Sequence, residues 1–160
     1  MRLKTLSAIF LLILLYSCTT FKPLTYKSKT LNGTFDANYE GKTFEGFFSL
    51  SDGNLRMDII NTLGFSVYGL YVKNSDVFVV DYRDNKRYKN LKFSGFDLNG
   101  YKGTIVYITQ NFFKLCSKKN KDVVLLKCSK VGSGYVPEDF VLKYKRKRLR
   151  IRLRKLRLKE

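Results

Sequence analysis

The chain has 160 residues, with 31 Lys or Arg against 13 Asp or Glu, no His and no Trp. A formal charge of +18 with 44% apolar residues fits one domain of ordinary size that can build a core, and excludes a disordered chain. Without imidazole there is no Ser-His-Asp or Cys-His catalysis and no zinc site that needs His, and three Cys cannot make a four-thiolate site.

At the N-terminus Arg2 and Lys4 precede an apolar run, Leu6 to Tyr16, broken only by Ser7. As helix the run reaches about 16 Å, roughly half a bilayer core, so it is the h-region of an export signal and not a span. Leu15-Tyr16-Ser17-Cys18 closes it and resembles the bacterial lipobox. That resemblance implies that residues 1–17 are removed, that Cys18 is acylated, and, because Thr19 is not Asp, that the protein is sorted to the outer membrane and faces the periplasm. The alternative is a plain secretory signal with a chance Cys. Residues 18–30, polar with one Pro, read as a tether, and residues 31–160 as one β domain. Export takes nucleic acid away as the partner that so basic a chain would otherwise suggest.

From there the pattern has period two. Phe35, Ala37 and Tyr39 share one strand face, and Glu40-Gly41-Lys42 turns. Phe44, Gly46, Phe48 and Leu50 share the next face, and Ser51-Asp52-Gly53-Asn54 turns. Leu55, Met57 and Ile59 follow, then the turn Asn61-Thr62-Leu63-Gly64. Phe65 to Val72 is a strand with Phe65, Val67, Gly69 and Tyr71 on one side. Lys73 to Asp76 turns, Val77 to Tyr82 runs on, and Asp84-Asn85-Lys86 leads into Arg87-Tyr88. Five or six such strands make an antiparallel meander.

Ile105, Ile108, Phe112 and Leu115 fall at helical spacing, which predicts a short amphipathic helix over 103–117. A β-branched strand, Thr104 to Ile108, is the rival reading. Cys116 and Cys128 either close a loop by a disulfide, as an oxidising compartment allows, or stay buried as free thiols. Strand returns at Val123 to Cys128. Lys143 to Glu160 holds eleven Lys or Arg in 18 residues, in period two: Leu149, Ile151 and Leu153 alternate with Arg148, Arg150, Arg152 and Arg154. A slip at Lys155 asks for a turn or bulge. The segment reads as two edge strands with solvated basic faces, as an Arg surface for anionic lipid headgroups or lipopolysaccharide, or as both.

Candidate chemistry is thin. The carboxylates of Asp81-Tyr82-Arg83-Asp84 and Glu138-Asp139 read as turn and surface charges, no Gly-rich phosphate loop is present, and no motif supports an enzyme or a cofactor. Leu63 stands where turn chemistry favours polar residues. It is either tucked beneath its loop or pushed outward.

Several stretches together resemble the LolB family of outer-membrane lipoprotein receptors, in the LolA/LolB-like fold group. They are Gly33-Thr34-Phe35, Tyr39 to Lys42, Phe44 to Phe48, Leu55 to Gly64 with Thr62 at the family's Pro, and Val136-Pro137 through Leu153. The family's helix ahead of the first strand and its Trp near the end have no counterpart, and the helical insert is shorter. The resemblance implies a mainly β fold, a curved antiparallel sheet forming a half-open β-barrel with a short helix or loop over its concave face. It implies a non-enzymatic protein that receives acylated lipoproteins from a LolA-like periplasmic carrier and inserts them in the outer membrane, with Leu63 as the protruding turn residue. Groove-lining candidates come from the strand faces: Phe35, Tyr39, Phe44, Phe48, Leu55, Met57, Ile59, Phe65 and Val67. Their alternative is plain core beneath the helix. A monomer without cofactor or metal is expected. The competing function is a structural or assembly lipoprotein that holds an envelope component on its basic C-terminal face.

Overall fold

A computed structural model describes residues 30–159. The export signal, Cys18 and the tether up to residue 29 lie outside the described residues. Strands β1 (Thr30–Tyr39), β2 (Lys42–Ser51), β3 (Asn54–Ile60), β4 (Ser66–Lys73), β5 (Asp76–Asp81) and β6 (Lys86–Tyr88) form a meander. A small ribbon follows, β7 (Lys92–Phe93) with β8 (Phe96–Asp97). Next come helix α1 (Lys102–Asn111) and a 3-10 segment, Phe112–Ser117. Strands β9 (Val123–Val131), β10 (Gly134–Tyr144) and β11 (Lys147–Lys159) complete the chain. Turn residues sit where backbone geometry needs them, with positive φ at Glu40-Gly41, Asp52-Gly53, Asn74-Ser75 and Asn85.

β11 returns to pair with β1, and nine strands form one antiparallel sheet in the order β6-β5-β4-β3-β2-β1-β11-β10-β9. Its edges, β6 and β9, do not pair with each other, so the sheet is not closed into a barrel. Side chains from β2, β3 and β4 and from β10 and β11 nevertheless line one space with α1, so the sheet curves around the helix. Ile105 and Ile108 of α1 and Phe112 just beyond it are buried against that concave side. The helical spacing therefore holds, with the last turns tightened to 3-10, and the strand reading of Thr104 to Ile108 fails. Among the described residues no helix is long and apolar enough to cross a membrane.

Three expectations need correction. First, β11 is one central strand, hydrogen-bonded to β1 on one side and β10 on the other, rather than two edge strands. The slip at Lys155 is a bulge: Lys155 has φ 51°, and the pairing jumps from Thr34↔Arg154 to Asn32↔Arg157. Gly33 lies opposite, where a Cβ would stand 2.6 Å from the Arg154 carbonyl oxygen. Second, β4 has the opposite phase. Pairing of Leu55, Met57 and Ile59 with Val72, Leu70 and Tyr68 turns those three inward, so Phe65 and Val67 leave the concave face. Both faces of this strand are apolar, and alternation alone cannot choose between them. Third, the core is not confined to the strand faces and the helix, since the connection 89–101 adds to it. Leu91, Phe93, Phe96, Leu98 and Tyr101 are buried, with the Phe96 ring 4.7 Å from that of Phe44.

Cys116 and Cys128 are joined in a disulfide, Cα atoms 6.2 Å apart, which ties the 3-10 segment to β9. Free thiols are thereby excluded. Reduction is expected to lower stability by about 2–3 kcal/mol, read as a drop in thermal midpoint on adding a dithiol that is absent in Cys116→Ser/Cys128→Ser. β2 and β3 approach closely at Gly46, where an added Cβ would lie 1.8 Å from the Asp58 backbone oxygen. Gly46→Ala is expected to cost roughly 2–4 kcal/mol in denaturant unfolding, more than a routine surface change.

Candidate functional site

Three features stand out: the interior beneath α1, the β3–β4 turn, and the basic strands β10 and β11. The interior is apolar but nearly full. Its free volume is about 60 Å³, bounded by Phe44, Phe48, Leu55, Met57 and Ile59 from the candidate set. Ligand pockets for small molecules run from about 300 Å³ upward, so this form has no groove for an acyl chain. Phe35 and Tyr39 are buried further along the sheet, Phe35 against Phe44 and Tyr39 against Phe96 and Tyr101. Phe65 and Val67 do not line the space. Ile105 and Ile108 of α1, Phe112 of the 3-10 segment, Leu50, Leu70 and Leu98, and the closing-strand residues Phe140, Leu142, Leu149, Ile151 and Leu153 also line it. The period-two pattern marked Leu149, Ile151 and Leu153 as a buried face, but their Arg neighbours drew the functional reading. Thr109 is the one polar lining residue, and its hydroxyl donates to the Ile105 carbonyl at 2.8 Å.

The β3–β4 turn is built around one side chain. Asn61 Oδ1 accepts the N–H groups of Leu63 and Phe65, each at 3.0 Å, and Asn61 N–H donates to the Phe65 carbonyl at 2.9 Å. Gly64 supplies the left-handed residue, φ 85°. With its polar groups bonded inside the turn, the backbone holds Leu63 and Phe65 outward, 78% and 67% exposed. The tucked reading of Leu63 is thus corrected. Phe65 joins it as a second apolar side chain on a turn whose backbone is fixed.

The basic face is less free than its composition implies. Arg150 forms a two-pronged bond with Asp139, Nε to Oδ1 at 2.9 Å and Nη2 to Oδ2 at 2.7 Å. Arg152 Nε lies 3.6 Å from the same carboxylate, and Arg154 Nε 2.8 Å from Asp36 Oδ1. Asp139 is therefore an internal counter-ion rather than an idle surface charge. Asp81 likewise binds Arg83, and Glu138 binds Lys127. Arg148 has no ion pair among the described residues, nor have Lys143, Lys145 or Arg146 around the β10–β11 hairpin. Beside that hairpin, Tyr101 is 1% exposed and its hydroxyl has no hydrogen-bond partner among the described residues. Burial, and then the nearby Tyr39 and Glu40, push its pKa up to about 12.

Among the described residues no group of three or more His, Cys, Asp or Glu could hold a metal ion. Searches with family models and against curated proteins found no match for this sequence.

The Arg150 guanidinium, hydrogen-bonded to Asp139, holds that carboxyl below the usual carboxylate range. A depressed carboxylate contributes stability above its unfolded pKa of about 3.9 and loses it as pH falls through the lower folded value. Asp139→Asn is expected to lower the unfolding free energy at pH 7 by about 1 kcal/mol. Its stability should also fall less steeply than wild type between about pH 5 and 2, measured by denaturant titration across that range.

Proposed function

We propose that this protein is an acyl-anchored outer-membrane lipoprotein that receives acylated lipoproteins from a periplasmic carrier and helps insert them, as LolB-like receptors do. It acts as a monomer without cofactor and without covalent chemistry. The observation that carries the reading is the β3–β4 turn. A soluble surface gains nothing from holding a Leu and a Phe outward on a tightly bonded turn, whereas a membrane interface accepts both. The one-faced apolar sheet and its short helix supply the second support. The fold is then a half-open barrel with α1 as its cover. Since the interior holds only about 60 Å³, loading requires α1 to lift from the sheet while the disulfide keeps the 3-10 segment tied to β9. Opening would expose a groove whose lining is hydrocarbon except for Thr109, suited to chains recognised by burial rather than by hydrogen bonds.

A second reading has its own support. A filled interior is what a structural or assembly lipoprotein needs, with the basic hairpin holding an envelope component. Leu63→Glu separates the two. The receptor reading expects a large fall in transfer of acylated lipoprotein from carrier to outer-membrane vesicles, tenfold or more if about 1.4 kcal/mol of insertion energy is lost. It expects the unfolding free energy to stay within about 0.5 kcal/mol of wild type, since Leu63 contacts little. Undiminished transfer would remove the turn from the mechanism.

A further inference from the structure

The strand pairing places several features at one end of the molecule. Tyr39 pairs with Lys42, Ile60 with Ser66, and Tyr144 with Lys147, so the turns at 40–41, 61–65 and 145–146 all leave the same rim of the sheet. Thr30 pairs with Ser51 and Lys159 at the other rim. The hairpin at 145–146 is unusual for this chain. Its left-handed residue is Lys145, φ 53°, where the other turns use Gly, Asn, Asp or Ser beside or at the strained position. A Lys there gives up turn stability that Asn or Gly would supply. Below the hairpin opens a cleft of about 590 Å³, walled by Tyr39, Tyr101, Tyr144, Lys145, Arg146 and Lys147, with Asp97 and Asn99 also lining it. The Asp97 carboxylate is paired with Lys92 at 3.5 Å, so its charge is already countered. Lys147 is partly engaged by Glu40 at 3.8 Å, while Lys145 and Arg146 carry no ion pair among the described residues. Tyr101 brings a buried hydroxyl with no partner among those residues to the same wall.

We propose that this cleft receives the phosphate headgroup of an anionic lipid, and that the protein stands on the leaflet with the 145–146 hairpin and the Leu63–Phe65 turn both facing down. The inference deepens the acyl-anchored reading above and rests on it. Two cations, an unused phenol and an aromatic wall match a phosphate beneath a lipid surface, and a lipid leaflet is the source that also accommodates the neighbouring apolar turn. The anchor must permit the pose. Residues 18–29 reach at most about 40 Å, and β1, with ten residues, is about 34 Å long. A tether leaving the far rim at Thr30 is therefore just long enough to return to the leaflet alongside the sheet.

The test uses the full chain with Phe65→Trp, its sole Trp, reconstituted into vesicles of phosphatidylcholine and brominated phosphatidylglycerol. Docking brings the indole to the bromines and quenches it. Lys145→Gln/Arg146→Gln is expected to lower the docked-to-free ratio roughly thirtyfold and so remove most of the quenching. Tyr101→Phe is expected to weaken quenching without lowering the thermal midpoint, because a buried unpaired hydroxyl is lost. Lys73→Gln/Lys130→Gln removes the same charge at the opposite rim and should leave quenching in place. Equal loss in both double variants would mean long-range attraction by net charge and would overturn the site. Relief of quenching by inorganic phosphate alone would make it a free-anion site and overturn the lipid assignment. Cargo plays no part in this measurement. A chain that docks through the hairpin but carries no acyl group keeps this inference and loses the receptor reading.

Discussion

Everything in this molecule is arranged around the burial of one sheet face. Phe48, Leu50, Ile59, Leu70 and Val72 on one half, and Phe140, Leu142, Leu149, Ile151 and Leu153 on the other, converge on Ile105, Ile108 and Phe112. Each fully buried side chain of this kind contributes about 1.5–3 kcal/mol, and no other interaction here approaches the sum. The pairing of β11 with β1 makes that convergence possible. It closes the meander onto the C-terminal hairpins and gives the helix two walls instead of one. The disulfide then fixes the 3-10 segment to the edge strand β9, so the cover is pinned at one end. A cover pinned at one end can lift at the other, which is what loading of the interior would require.

The electrostatics follow from the same topology. A strand with Arg at every second position would be a repulsive liability in the middle of a sheet. Asp139 on β10 and Asp36 on β1 flank it and engage Arg150, Arg152 and Arg154. The cations left without an ion pair among the described residues around this strand's start are Lys143, Lys145, Arg146 and Arg148. The Arg side chains in the middle of the sheet are thus paired where strands must pack, while these four cations at one rim stay available to an anionic surface.

Much of this was legible in the sequence. Alternation located β1 to β5, the Asp-Gly and Asn-Ser pairs located their turns, and the spacing of Ile105, Ile108 and Phe112 located the helix, because each signal is local. What stayed hidden is non-local. Nothing in Leu149 to Leu158 says that its neighbour is residue 30–39, so a central strand looked like an edge. The phase of β4 depended on which side β3 presents, since Phe65-Val67 and Tyr68-Leu70-Val72 are equally apolar. Leu91 and Phe93, and Phe96 and Leu98, alternate on either side of Ser94-Gly95, but runs of two apolar residues are too short to mark a strand, and their burial comes from filling a gap that only the assembled sheet creates. The outward pose of Leu63 depended on Asn61, whose side chain bonds two backbone N–H groups and leaves the loop nothing to tuck beneath.

The central claim is that the covered interior opens to hold an acyl chain that is not its own anchor. Native mass spectrometry of the full chain, extracted from membranes in mild detergent, addresses it most directly. The account predicts a population heavier than the anchored protein by one lipoprotein or fatty acyl mass, lost on gentle activation. A single species at the mass of the anchored protein alone, even after incubation with loaded carrier, would contradict it and leave the filled core as core.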